Sequence, residues 1–197
     1  MNRKAERGQA TRERLVAVAT RLFSELGYEE TSIEQVLHES GVSRGALYHH
    51  FGSKEALFEA VLEEVERDIG RRGQAVIAEA GDLLSAIRAA CLSWIQMTAD
   101  PVVQQILLVD APSVLGWERW RALDERHTLG EVKAALAAVA ASGSGRLDPA
   151  QVDLMAHVWL AVMNEIALYI ARAEDGEAAR RDGEAVMDSL LQGLLGA

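Results

Sequence analysis

Three observations predict an all-α protein. Its 197 residues include only three prolines and sixteen glycines, with alanine and leucine dominant and few aromatics, a composition that favours helices over sheets. Apolar residues recur at i, i+3 and i+4 along most of the chain, and from residue 74 onward no strand signal occurs. The stretch TSIEQVLHESGVSRGALYHHFGSKEALF, residues 31 to 58, reads as two short helices joined by a tight turn with a third starting behind them. By size, the chain suits one domain or a small domain followed by a larger one.

The first ten residues are polar and carry Arg3, Lys4 and Arg7. They read as a loose arm, either without a role or lying along nucleic acid. Thr11 is placed to cap a first helix ending near Leu26, with Leu15, Val18, Ala19, Leu22 and Phe23 on its apolar side and Gly27 as its stop. Thr31 and Glu34 have capping-box spacing for a second helix, from about Ser32 to Glu39, whose Ile33, Val36 and Leu37 share one face. Gly41 ends it and Val42 sits at the angle. Ser43 caps a third helix, Arg44 to about His50, in which Ala46 and Leu47 turn inward. A longer helix starts at Lys54 and carries Leu57, Phe58 and Val61 on one stripe. Gly70 to Gly73 interrupt it near Ile69, so a separate helix is expected from Gln74 to Glu79.

Beyond this point helices are expected at Leu83–Thr98 behind Asp82, at Val102–Val109 and at about Trp117–Ala140. The stretch SGSGR, residues 142 to 146, reads as a flexible loop, and Asp148 with Pro149 opens a helix to about Ala171. That helix has an apolar stripe wrapping more than half its circumference, which requires two partners. The last helix, about Glu177 to Leu195, is again small and apolar on one side. Val152, Ala156, Leu160 and Ala167 on the former and Val186, Leu190 and Leu194 on the latter are therefore expected to form a four-helix interface between two copies.

With Ala46 and Leu47 inward, Arg44, Gly45, Tyr48 and His49 line the outer face of a helix of about two turns, narrow enough to enter a major groove about 12 Å wide. Arg44 offers a forked donor pair suited to guanine O6 and N7, while Tyr48 and Lys54 suit phosphate oxygens. Spacing alone leaves open a helical hairpin with a merely solvated polar face.

Residues 12 to 61 resemble the N-terminal domain of the TetR/AcrR family of bacterial transcriptional regulators. The resemblance runs through Ala17, Ala19, Leu22, Phe23, Gly27 and Tyr28, then Thr31, Ile33, Gly41 and Val42, then Leu47, Tyr48, Phe51, Lys54, Leu57 and Phe58. It is dense and ungapped and covers about a quarter of the chain. It implies a homeodomain-like, three-helix head in which Arg44, Gly45 and His49 read bases and Thr31, Tyr48 and Lys54 hold phosphates. His50, in the run YHHF, departs from many relatives, so no base preference carries over to it. The segment DAPSVLGWERWRALDERH resembles one C-terminal subgroup of these regulators and brings no ligand chemistry with it.

The formal net charge of -10 argues against nucleic acid until its distribution is considered. Residues 1 to 60 hold eight Arg or Lys against nine Asp or Glu, whereas the remainder holds twelve against twenty-one. Affinity for DNA must then rest on the placement of Arg3, Lys4, Arg7, Arg12, Arg44 and Lys54, with modest non-specific binding. Cys91 is the single cysteine and reads as a small core residue. No uninterrupted apolar run approaches 18 residues and no export signal is visible, so a cytoplasmic protein without a membrane span is expected.

No Gly-rich phosphate loop, HExxH or cysteine cluster occurs, and no serine has a recognisable histidine partner. His38, His127 and His157 are scattered; His157 with Asp153 reads as an ordinary polar pair and not as a metal site. No cofactor or metal is expected. Trp94, Trp117, Trp120 and Trp159, with Met97, Met155 and Met163, lie in the second half, either as bulky core or as the wall of an apolar pocket. Regulators of the family resembled carry such a pocket.

The expected molecule is a two-domain homodimer, with a helix-turn-helix DNA-binding domain at 1–55 and a helical regulatory, ligand-binding and dimerisation domain at 56–197. Its partners would be a palindromic double-stranded operator, a second copy and a small-molecule effector that releases the DNA, the helix from Lys54 acting as lever. An activator or co-repressor-dependent regulator stays open, as do a helical enzyme acting on a small apolar substrate and a ligand-free scaffold dimer. An inverted repeat upstream of the gene would favour the regulator over the enzyme.

Overall fold

The computed structural model describes residues 3–143 and 147–195, with the side-chain surroundings of all of these except Arg3, Lys4, Asp124, His127, Leu194 and Leu195. Expectations for the Arg3 and Lys4 side chains, for His127, for residues 144–146 of the loop and for Leu194 at the dimer stripe lie outside this description. Among the described residues every regular element is helical. They pack as two compact units, residues 1–67 with 101–116 and residues 68–100 with 117–197. These are not the contiguous segments expected from the sequence, because the stretch 101–116 returns to the first unit.

In the first unit, α1 (Arg3–Glu30) starts well before Thr11, so residues 3–10 of the polar opening are helical and not a loose arm. Thr11 is no cap: its hydroxyl donates to the Arg7 carbonyl at 2.8 Å, the back-bond of a threonine inside a helix. As expected, the helix stops at Gly27, where the backbone leaves helical geometry, and a short helical turn beyond this bend carries α1 on to Glu30. The φ of 82° and ψ of 167° at Gly27 are open to glycine alone without strain. Thr31, expected to cap the next helix, is 1% exposed and donates its hydroxyl to the carbonyls of Gly27 at 2.8 Å and Leu22 at 3.2 Å. The capping box therefore moves one residue along. Ser32 accepts from the Gln35 N–H and Gln35 Oε1 accepts from the Ser32 N–H at the start of α2 (Ile33–Ser40). Gly41 closes α2 at φ 65°. Ser43 caps α3 (Arg44–His50), accepting from the Ala46 N–H at 3.3 Å.

Leu15, Ala19, Phe23, Val36, Leu47 and Phe58 are fully buried, and each large side chain among them contributes about 1.5–3 kcal/mol of burial. Phe23, Tyr28 and Phe58 pack ring against ring, with centroids 5.1 to 5.7 Å apart. The stretch Val103–Asp110 winds in wide, π-helical turns before α6 (Ala111–Leu115), and it packs on α1 with Val103, Ile106 and Leu107 buried. An ordinary α-helix was expected at Val102–Val109. Apolar spacing does not distinguish the two kinds of turn.

Helix α4 (Lys54–Ala78) runs unbroken through Gly70 and Gly73, so the expected interruption and the separate helix at Gln74 are absent. Two glycines cost a helix about 2 kcal/mol. Good helix formers flank them, and Asp68 pairs with Arg71 at 3.0 Å and Arg72 at 2.6 Å along the same turns.

In the second unit, α5 (Leu83–Met97) is capped by Asp82, which accepts from the Leu84 and Ser85 N–H groups at 2.9 and 3.0 Å. The single helix expected from Trp117 to Ala140 is instead α7 (Trp117–Asp124), a wide-turned stretch Glu125–Leu129 and α8 (Gly130–Ser142). Asp148 accepts from the Ala150 N–H and, with Pro149, starts a short turn that leads into α9 (Val152–Arg172). The chain ends in α10 (Gly176–Leu195). Cys91, Ile95, Val139, Trp159, Ile170 and Met187 form one core and Leu129, Leu136, Leu147, Ala156 and Leu160 a second. A side chain on Gly183 would lie 3.0 Å from Ile166 Cγ2, so glycine there lets α9 and α10 approach closely. Arg88 on α5 forks onto Asp188 on α10, both contacts at 2.7 Å.

Residues Pro149–Arg172 form the one helical stretch, among those described, long and apolar enough to cross a bilayer by length and composition. Ala156, Trp159, Leu160, Ala167 and Ile170 on it are buried, as on a core helix.

Candidate nucleic-acid interface

The packing that holds α3 fixes what it presents. Leu47 at 0% and Phe51 at 4% exposure anchor its inner side, which leaves Arg44, Gly45, Tyr48 and His49 exposed together on the outer side. A side chain built on Gly45 would meet nothing within 4 Å, so the surface there is open as well as flat. Arg12 of α1 lies over the Phe51 ring, 5.4 Å from its centroid, adding a cation beside the end of α3.

Arg44 is held by Glu34 of α2 across the turn, in an exposed ion pair. The hydrogen bond from Arg44 holds the Glu34 carboxyl below its ordinary range, and the same bond raises the guanidinium. Lys54, half-buried at the start of α4, donates to the Glu29 carbonyl at 3.3 Å, and its ammonium stands 4.2 Å from the centroid of the Tyr28 ring. An ammonium has three donors, so others remain for an incoming acceptor. Five of the six residues expected at DNA thus lie on α3 or at the start of α4 with accessible surface. Thr31 is set apart: its side chain is buried and its hydroxyl donates to the Leu22 and Gly27 carbonyls of α1, so its side chain is not on the accessible face.

Sequence reasoning overlooked the carboxylate behind this surface. Asp110, 8% exposed, accepts from the Tyr28 N–H at 2.8 Å and from Gln105 Nε2 at 3.0 Å, immediately after the bend at Gly27. Burial pushes its carboxyl up, against the lowering effect of those two hydrogen bonds. The only sequence signal was an acidic residue in a nearly continuous apolar run.

In the second unit the tryptophan and methionine candidates divide. Trp94 donates to the Met163 carbonyl at 3.3 Å, Trp159 lies in the core beside Cys91, and Met155 packs on the core around Leu136. Met97 is buried at 7%. Trp117, 61% exposed, and Trp120, 3% exposed, form a separate ring pair with centroids 5.0 Å apart. Of the residues expected between two copies, Ala156, Leu160 and Ala167 are buried inside this chain and have no surface left to offer, and Val152 is half-buried. The large exposed apolar residues of α9 are Leu154, Val158 and Tyr169, with Val186 and Leu190 on α10. No group of three or more metal-ligating side chains occurs among the described residues, and His157 lies 3.7 Å from Glu125 and 4.0 Å from Asp153.

Residues 15–61 match the family model described as bacterial regulatory proteins, tetR family, and residues 84–194 match the tetracyclin repressor-like C-terminal domain. A solved TetR-family transcriptional regulator from Pectobacterium atrosepticum superposes with a TM-score of 0.84 at 33% identity, covering 96% of each chain. The HTH-type transcriptional regulator AcrR of Shigella flexneri is 34% identical over 110 residues, 55% of this chain and 51% of that protein. The chain therefore spans about half the length of that curated relative. An HTH-type regulator of Mycobacterium tuberculosis is 26% identical over 176 residues, 89% of this chain and 83% of its own. Both halves of the chain, the one carrying α3 and the one carrying α9 and α10, meet their counterparts in one family, and the chain belongs to the TetR family of bacterial transcriptional regulators.

Proposed function

We propose that the chain is a ligand-responsive repressor that binds a palindromic operator as a homodimer and leaves it when a small molecule enters the second unit. The observation that carries the DNA half is the outer face of α3, with Arg44, Tyr48 and His49 exposed around an unobstructed Gly45. In this reading Arg44 and His49 contact base edges, Gly45 lets the helix sit close, and Tyr48 and Lys54 hold the backbone. Glu34 keeps Arg44 extended across the turn until a guanine competes for its guanidinium. Two copies join through the exposed stripes of α9 and α10, which presents two reading helices about 34–36 Å apart, or a multiple of that. Regulators of this family bind operators and form dimers, and among the described residues no acid, base or nucleophile pair favours an enzyme.

The test is a titration of fluorescent duplexes from the DNA upstream of the gene at several salt concentrations. Arg44→Ala is expected to cost about 1–3 kcal/mol on the preferred duplex and to relax preference at one base position. Lys54→Ala is expected to weaken all duplexes alike and to lower the salt slope by about 1. Equal profiles for the two variants would remove the division of roles, and no preference for any upstream duplex would remove the operator reading.

A further inference from the structure

The indole of Trp120 is 3% exposed, and its Nε1–H has no protein acceptor within hydrogen-bonding distance. A buried donor left unpaired by the protein is costly, so it calls for an acceptor from outside the chain, a water or a ligand. The other interior indoles are engaged: Trp94 donates to the Met163 carbonyl, and Trp159 interacts with the Cys91 thiol. Trp120 also differs in its surroundings. Trp117, still 61% exposed, lies against it with the ring planes at 47° and so extends the buried aromatic surface out to solvent. Directly after the same helix the backbone widens into the π-helical turns Glu125–Leu129, a departure that gives up regular hydrogen bonding and occurs frequently at functional sites.

We propose that Trp120 Nε1–H is the orienting donor of an effector subsite, and that the effector is a flat, neutral aromatic molecule bearing a hydrogen-bond acceptor such as a carbonyl oxygen or a ring nitrogen. The inference rests on the ligand-responsive reading above and specifies its chemistry. An indole is an uncharged donor with no acceptor capacity, so it selects for an acceptor and against a second donor. A carboxylate entering here would need a cation to offset its desolvation. Both flanking cations are already engaged: Arg121 is bonded to Glu125 at 3.1 Å, and Arg119 has an interaction of its own. Trp117 supplies the face against which a flat ring packs as it enters.

The test uses the full chain labelled with nitrogen-15, whose four tryptophans give four indole N–H signals. The Trp120 signal is assigned from W120F, or by elimination with W94F, W117F and W159F if W120F does not fold. Two matched pairs are titrated: acetophenone against ethylbenzene, and quinoline against naphthalene. The acceptor-bearing member of at least one pair is expected to move the Trp120 signal downfield while its hydrocarbon partner leaves that signal in place. In W120F the same compound is expected to bind about three- to tenfold more weakly, the worth of one neutral hydrogen bond, with hydrocarbon binding unchanged. Equal shifts from both members of each pair, or no shift of Trp120 from any compound, would overturn the subsite. Operator affinity is followed in parallel with a labelled duplex. Compounds that engage Trp120 without releasing DNA would leave the subsite standing and remove the ligand-responsive reading.

Discussion

Gly45 stands inside a seven-residue helix, where glycine costs roughly 1 kcal/mol against alanine, yet a methyl group there would meet nothing within 4 Å. The folded chain gains nothing from it, so its use lies in what approaches α3 from outside. Gly45→Ala is expected to raise stability by about 0.5–1 kcal/mol in urea denaturation while weakening operator binding. A variant that gained stability and kept full affinity would leave this glycine without a reason. Cys91 makes the opposite case, a reactive group silenced by its surroundings. Burial raises its thiol from its ordinary value of 9.0 to about 11. Protons therefore bind the folded state more tightly, and the stability this contributes is present below pH 9 and lost between pH 9 and 11. At neutral pH the thiol should react with a disulfide reagent only as fast as the second unit opens, and rapid stoichiometric labelling of the folded protein would contradict its burial. Cys91 and Thr31 were legible to different degrees. Cys91 on an apolar stripe reads directly as core, whereas Thr31 reads as a cap because sequence spacing does not reveal that its hydroxyl turns back onto the preceding helix.

The bend at Gly27 is held by an element distant in sequence. Asp110, on the wide-turned stretch that packs on α1, takes the Tyr28 N–H freed where α1 leaves helical geometry, and Gln105 braces the same carboxylate. Asp110→Ala leaves a backbone donor in a half-buried place without its partner and is expected to destabilise the first unit by about 1–3 kcal/mol. Operator affinity should fall with it, because Thr31 and α2 follow directly. The pH dependence has a definite sign. Burial raises the Asp110 carboxyl, with Glu29 adding to the effect and Lys54 opposing it, so the folded state holds its proton more tightly than the unfolded chain. This contribution to stability is lost as pH climbs from the ordinary carboxylate range through the raised value, and Asp110→Asn should flatten that slope in denaturation midpoints followed across the acidic range. A slope identical in both proteins would show that other groups set it. Elements of this kind were the least legible in the sequence. Periodicity located α2, α3, α9 and α10 to within a few residues because their caps are local. It missed the wide turns at Val103–Asp110 and Glu125–Leu129, whose apolar spacing resembles that of an α-helix. It also broke α4 at two glycines whose cost the flanking residues and ion pairs outweigh.

For the whole molecule, the sequence revealed that α9 is apolar on two sides but not which side is internal. Ala156, Leu160 and Ala167 face the chain's own core, while Leu154, Val158 and Tyr169 face outward, as do Val186 and Leu190 on α10. Charge on the outward set should dissociate a dimer without unfolding the chain: Val158→Glu with Val186→Glu is expected to halve the mass by light scattering while helicity is retained, and to lose tight operator binding. Leu160→Glu, by contrast, should cost helicity first. A double variant that stayed dimeric at micromolar concentration would place the interface elsewhere. The return of residues 101–116 to the first compact unit bears on how such a protein is recombined. A chimera joined at residue 55 or 67 would transplant a reading head without Asp110 and Gln105, so its bend at Tyr28 would be closed by whatever the acceptor scaffold happened to carry. Exchange of operator specificity between two such regulators should therefore succeed when residues 101–116 travel with the head as a second, discontinuous graft. The DNA-reading cassette of this protein is written in two places.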